Sequence, residues 1–227
     1  MIRLALLRHG HTPWNRAGRI QGRSDIPLDE AARAELAAQR LPDDWPQAEL
    51  WSSPLLRATE TATLVTGQTP RTDPALTEMF WGDWEGLKGV DLRADPASGF
   101  RDIESWGWDY RPPGGETPAE VWTRLQPWLA RLSRDSVAIC HIGIMRMILA
   151  RAHGWNFDGP APFQIKRNRL FVVEITDTGH GLTPWSTPVR LLPAEVATPA
   201  PPAAAPPTDS TLPNTPPPDP TSPGAKT

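Results

Sequence analysis

The chain has 227 residues, 39% of them hydrophobic and 22% charged, with a formal net charge of −3. Those figures suit one sizeable domain and argue against a nucleic-acid partner, because no block of Lys and Arg supplies the positive footprint a phosphate backbone requires. The N-terminal apolar run is too short for a signal peptide, no stretch is long enough to cross a bilayer, and the one cysteine, Cys140, allows no internal disulfide, so a soluble cytoplasmic protein is expected.

Residues 2 to 8 form a short apolar run that ends on Arg8-His9-Gly10, which predicts a buried strand. Residues 9 to 27 hold Gly, Pro, Asn and Asp and read as a long functional loop. The Ala/Glu/Arg-rich stretch Leu28 to Leu41, with its acidic start, predicts a helix, and Glu49-Leu50-Trp51-Ser52 a short strand. Ser53-Pro54 then offers an N-cap and a first-turn proline for a helix to about Gly67, and residues 70 to 76 a further strand. Residues 79 to 115, rich in Trp, Gly, Asp and Pro, read as a lid-like insertion over a site. Thr117-Pro118-Ala119-Glu120 is a capping box opening a helix to about Ser133. Ser136 to Cys140 predicts a buried strand ending at His141-Ile142-Gly143, followed by a helix to about His153; Leu170 to Ile175 and residues 180 to 185 predict the last strands. From residue 193 the chain is rich in Pro, Ala and Thr with almost no large apolar residue, so burial cannot offset the entropy of ordering it and a disordered tail is expected.

Strands alternating with helices predict an α/β domain over residues 1–192: a three-layer sandwich whose mostly parallel central sheet is flanked by helices, with the Trp-rich insertion over the active site. In such folds ligands bind beyond the carboxyl ends of strands. Two strands here end alike, in Arg8-His9-Gly10 and His141-Ile142-Gly143, and Arg57 falls in the first turn of a helix, where free N–H groups and the dipole favour anions. Cations, an imidazole and glycine together suit phosphate chemistry. A metal site of His9, His11 and His141 is the competing chemistry, disfavoured because Arg8 repels a cation and no Asp or Glu cluster joins the histidines.

Arg8-His9-Gly10-His11-Thr12, with Asn15 and Gln21-Gly22, resembles the opening motif of the histidine phosphatase superfamily, the phosphoglycerate mutase-like proteins. Ser53 to Ala62 resembles its second block, Leu76 to Gly86 its acidic block, and Gly114-Gly115-Glu116-Thr117 and His141-Ile142-Gly143 the remaining two, in the family's order over residues 1 to roughly 150. The resemblance implies that His9 is the nucleophile of a phosphohistidine intermediate, that Arg8, Arg57 and His141 hold the phosphate oxygens, that Asn15 and the chain near Gln21 and Gly22 add neutral donors, and that Glu78 is the acid and base. It implies no metal and no cofactor.

Three positions depart from the family pattern: His11 stands where Glu is common, Ile142 where Gly is common, and the first helix lacks its usual early glycine. Ile142 is expected to crowd the floor of the phosphate pocket. The stretch Phe80-Trp81-Gly82-Asp83-Trp84-Glu85-Gly86 looks like the phosphatase branch, including α-ribazole phosphatase and broad-specificity enzymes, and unlike the Tyr-Gly-x-Leu-x-Gly stretch of the glycolytic mutases. The expectation is a metal-independent phosphomonoesterase acting on a small-molecule phosphate ester, as a monomer or homodimer. Mutase-type phosphoryl transfer and a non-catalytic interaction module presenting the proline-rich tail are the alternatives. Trp81, Trp84, Trp106, Trp108 and Tyr110 form either a small aromatic core or a stacking surface for the leaving group.

Overall fold

The computed structural model describes residues 1–45, 47–176, 181–185 and 187–194. In chain order its regular elements are β1 (Ile2–Arg8), α1 (Pro13–Arg16), α2 (Glu30–Ala37), β2 (Gln39–Arg40), β3 (Glu49–Ser52), α3 (Leu56–Thr66), β4 (Arg71–Thr72), α4 (Gly89–Ala94), α5 (Pro118–Arg131), β5 (Ser136–Cys140), α6 (Ile142–His153), β6 (Arg169–Thr176), β7 (Gly181–Pro184), β8 (Val189–Arg190) and β9 (Leu192–Pro193). The main sheet runs β4-β3-β5-β1-β6-β7, with β8 also paired to β6. Strands β4, β3, β5 and β1 are parallel, and β6, β7 and β8 join antiparallel at one side.

β1 lies inside this sheet and is buried on both faces, which is why its sequence is an unbroken apolar run with no polar alternation. Leu4 and Leu6 enter one core, with Leu125, Trp128 and Ile148 of α5 and α6. Ala5 and Leu7 enter the other, with Leu36 of α2 and Ala58 of α3. The register between β1 and β5 pairs Arg8 with Cys140. Both strands therefore stop at the same level, so His9 and His141 emerge side by side at the carboxyl edge.

Several elements differ from the sequence expectations in their ends. α2 stops at Ala37, and Gln39 and Arg40, expected to be helical, pair with β9 instead. α3 begins at Leu56 with no side-chain cap. The Ser53 hydroxyl accepts from the Leu55 N–H at 3.3 Å, one residue before the helix, and also meets the His141 ring, whose Nε2 lies 2.8 Å from it. The strand expected over residues 70 to 76 is only Arg71–Thr72, because Asp73 and Pro74 turn the chain into a short 3-10 turn. The capping box at Thr117 and Glu120 forms as expected. Pro193 pairs with Gln39 and the Ala194 N–H donates to the Ala38 carbonyl at 2.8 Å, so the folded unit continues past residue 192, to Ala194. The rest of the proline-rich segment lies outside the described residues.

In the insertion, Trp84 and Trp106 are buried. Trp106 stacks on Tyr110 at 5.2 Å and on Phe157 at 6.5 Å, and Trp81 meets Trp106 edge-on at 5.4 Å. Trp108 meets Phe157 edge-on and carries the Arg151 guanidinium 3.9 Å above its ring. Trp81, Trp106, Trp108 and Tyr110 extend the main core outward, Trp84 packs on Phe100 and Tyr110, and of these five only Trp81 also reaches the cavity described next.

Candidate active site

His9 sits one residue beyond β1, only 4% exposed, with its N–H bonded to the Cys140 carbonyl at 3.0 Å. Gly10 follows because α2 packs directly over this turn: a Cβ there would press into the Leu28 and Leu36 side chains. The Gly10 N–H donates to Thr61 of α3 at 3.0 Å. The His9 Nδ1 lies 2.6 Å from the Gly10 carbonyl, which can only accept, so Nδ1 carries the proton and Nε2 the lone pair. Burial, then the charges of Arg57, Arg8 and Arg167, hold the His9 pKa well below 6.5. Both effects favour the neutral imidazole, and His9 lines a cavity of about 160 Å³.

Arg8, Asn15, Gln21, Glu78 and Ile142 join His9 around that cavity. The Arg8 Nε and the Gln21 Nε2 are buried donors with no partner among the described residues. Gln21 is oriented from its other end, where its oxygen accepts from the Thr12 hydroxyl at 2.8 Å and the Asn15 amide at 3.0 Å. Burial and the neighbouring guanidinium of Arg167 push the Arg8 pKa down to about 9. That depression expresses crowded, desolvated positive charge, which a bound anion would relieve.

Glu78 is 2% exposed. Its carboxyl accepts from the Met79 N–H at 2.8 Å and from the Gly143 N–H at 3.1 Å. Burial outweighs these bonds and the nearby arginines and raises its pKa above 4.5. A carboxyl whose pKa burial raises, on the same cavity as an imidazole whose pKa burial lowers, is the pairing of opposite shifts that acid and nucleophile chemistry requires.

Arg57 and His141 do not reach the cavity wall in this arrangement. Arg57 is fully buried behind it, donating from Nη1 to the Ser24 carbonyl (2.9 Å), from Nη2 to the Gly22 carbonyl (2.7 Å) and from Nε to His141 Nδ1 (3.3 Å). Because a guanidinium only donates, His141 accepts at Nδ1 and donates from Nε2 to Ser53. Both nitrogens of His141 are thus engaged, and its ring stands 5.1 Å from that of His9. Two of the five Arg57 donors remain. Gly22 serves the site through its carbonyl, and the loop after it is pinned by Glu85, which accepts from the N–H groups of Arg23 and Ser24.

Three residues had no signal in the sequence motifs. Arg167 donates to the His9 carbonyl at 3.2 Å and to Asn15 Oδ1 at 2.8 Å. Arg124, on α5, donates to the carbonyls of Ala75 (2.6 Å) and Thr77 (2.7 Å), fixing the segment that carries Glu78. Arg146 lies one helical turn after Ile142. His11 is half-buried beside Arg167, Arg16 and Arg8, whose charges join burial in lowering its pKa. Among the described residues no three His, Cys, Asp or Glu side chains are grouped to hold a metal ion, and no helix is long and apolar enough to cross a membrane.

A parallel sheet edge that presents a neutral histidine, unpaired arginine donors and a buried acid defines a phosphate-handling site. The family model of the histidine phosphatase superfamily, branch 1, matches residues 4–187, and the chain belongs to that superfamily. It is 35% identical over 137 residues to a glucosyl-3-phosphoglycerate phosphatase of Mycobacterium tuberculosis, a match covering 57% of this chain and 60% of that protein, so it spans under two thirds of that relative's length. It is 29% identical over 196 residues to a 2,3-bisphosphoglycerate-dependent phosphoglycerate mutase of Gloeothece citriformis, covering 68% of this chain and 80% of the mutase. Among solved structures, the α-ribazole phosphatase of Shigella flexneri superposes with a TM-score of 0.69 at 27% identity, over 86% of this chain and 100% of the other.

Proposed function

We propose that this protein is a metal-independent phosphomonoesterase that works through a phosphohistidine at His9 on a small phosphorylated metabolite, in the cytoplasm. The observation that carries the reading is the pairing of a lone-pair Nε2 on His9 with two orphaned buried donors, Arg8 Nε and Gln21 Nε2, on one cavity. Unpartnered buried donors are costly, and a phosphoryl group supplies the acceptors they lack. The unpaired, buried Cys140 fits a reducing compartment.

In the first half-reaction the His9 Nε2 lone pair attacks phosphorus, the P–O bond to the alcohol breaks, and Glu78 gives its proton to the leaving oxygen. In the second, Glu78 takes a proton from water, the water oxygen bonds to phosphorus, and the P–N bond breaks to release phosphate and neutral His9. Arg8 and Gln21 meet the charge on the equatorial oxygens, assisted by the field and the two remaining N–H groups of Arg57. His141 positions Arg57 through its Nδ1. Trp81 at the cavity rim is placed to face the leaving group.

The test is rapid-quench labelling with a radioactive phosphate ester, with a substrate panel run in parallel. An acid-labile adduct on His9, absent in His9→Ala along with turnover, is expected, with no loss on adding a chelator. Absence of the adduct overturns the mechanism. Isomerisation of 3-phosphoglycerate faster than hydrolysis of any ester would replace the phosphatase reading with the mutase one.

A further inference from the structure

Beside the phosphate cavity, and sharing Ile142 as a common wall, lies a second cavity of about 170 Å³. Trp155 and Phe163, perpendicular at 5.6 Å, line it together with Gln164. Arg146 also lines it. Residues four apart on a helix share a face, so α6 directs Ile142 and Arg146 to the same side. Arg146 is half-buried and makes no hydrogen bond or ion pair with any described residue. Glu104 is on the same wall but beyond ion-pair distance, and burial lowers the Arg146 pKa despite the charges of Glu104 and Glu78. The Arg146 charge in turn adds to the depression of the Arg8 pKa, so the two guanidiniums belong to one field.

Resting on the phosphatase reading above, we propose that this second cavity is a leaving-group subsite in which Arg146 binds a further anionic group, a carboxylate or a second phosphate, carried by the alcohol part of the ester. Aromatic walls on one side lower the local polarity and strengthen a charge-assisted pair there. A planar guanidinium meets either group through two parallel N–H bonds, and Arg146, which Glu104 and Glu78 influence only through their field, gains hydrogen-bonded acceptors. Ile142, in place of the common glycine, separates the two cavities and sets where the ester must bend.

The test compares kcat/KM for three esters of similar length: glycerol 3-phosphate, 3-phosphoglycerate and propane-1,3-diol bisphosphate. The wild type is expected to favour at least one of the two doubly anionic esters over glycerol 3-phosphate by tenfold or more. In Arg146→Met that preference falls at least tenfold, mainly through KM, and Arg146→Lys restores part of it. Loss confined to 3-phosphoglycerate identifies a carboxylate partner, and loss confined to the bisphosphate a phosphate partner. A preference unchanged in a folded Arg146→Met variant, or no preference in the wild type, overturns the proposal. Hydrolysis of glycerol 3-phosphate by the wild type judges the phosphatase reading separately, since that ester carries no second anion.

Discussion

Glu78 and Gly143 hold each other in place: the Gly143 N–H donates to the Glu78 carboxyl at 3.1 Å, and a Cβ on Gly143 would fall on the same carboxyl. The first turn of α6 thereby fixes the carboxyl proposed as proton donor. Gly143→Ala is expected to leave the fold intact, because alanine suits a helix better than glycine. It should lower kcat by about a hundredfold, the lower range of what a positioned acid contributes. Steady-state kinetics beside a thermal melt separate the two effects; normal kcat would show that Glu78 is not the proton donor.

The pH profile follows from opposite displacements of two groups. His9 must be neutral to attack, and its pKa lies well below 6.5, so activity falls only as pH drops through that depressed value. Glu78 must be protonated to release the alcohol, and its pKa lies above 4.5, so activity falls as pH rises through that raised value. A bell-shaped kcat/KM results. Glu78→Gln should lose the descending limb and about a hundred- to ten-thousandfold in rate. A wild-type profile still rising in alkali would refute the assignment.

Anions should stabilise the free protein. Vanadate or phosphate at a hundred times its dissociation constant contributes about 2.7 kcal/mol, which raises the Tm of a domain this size by roughly 5–10 °C. Arg8→Met should abolish that shift while raising the Tm of the unliganded protein, since it removes crowded positive charge. Calorimetry with and without the anion reads both changes.

Arg167 braces His9, the proposed nucleophile, from a loop far along the chain, through the His9 carbonyl and the Asn15 side-chain oxygen. Hydrogen bonds from a charged donor are worth about 1.5–3 kcal/mol, so Arg167→Met is expected to lower kcat/KM by about ten- to a hundredfold. A loss under twofold would reduce Arg167 to a surface contact.

The chain's own pattern was enough to place β1, β5, α5 and α6, for separate local reasons. Strands buried on both faces are unbroken apolar runs, and a capping box announces its helix. Arg8, His9, Gln21 and Glu78 were legible as members of motifs, and the structure places all four on the same cavity. The end of α2 was not legible, because Gln39 and Arg40 suit a helix and are taken by β9, more than 150 residues away in sequence. Nor was the second partner of Ser53, whose hydroxyl meets the distant His141 ring as well as the Leu55 N–H beside its own helix.

What the residues determined alone was therefore the α/β class, the run of strands and helices, and the chemical types gathered at two strand ends. The tertiary structure decided which donors remain open. The β1–β5 register brings His9 beside His141, burial lowers the His9 pKa and raises that of Glu78, and packing occupies both nitrogens of His141 while leaving Arg8 Nε and Gln21 Nε2 without partners among the described residues. Hydrogen-bond satisfaction and desolvation depend on groups far apart in sequence, and only the folded chain brings those groups together.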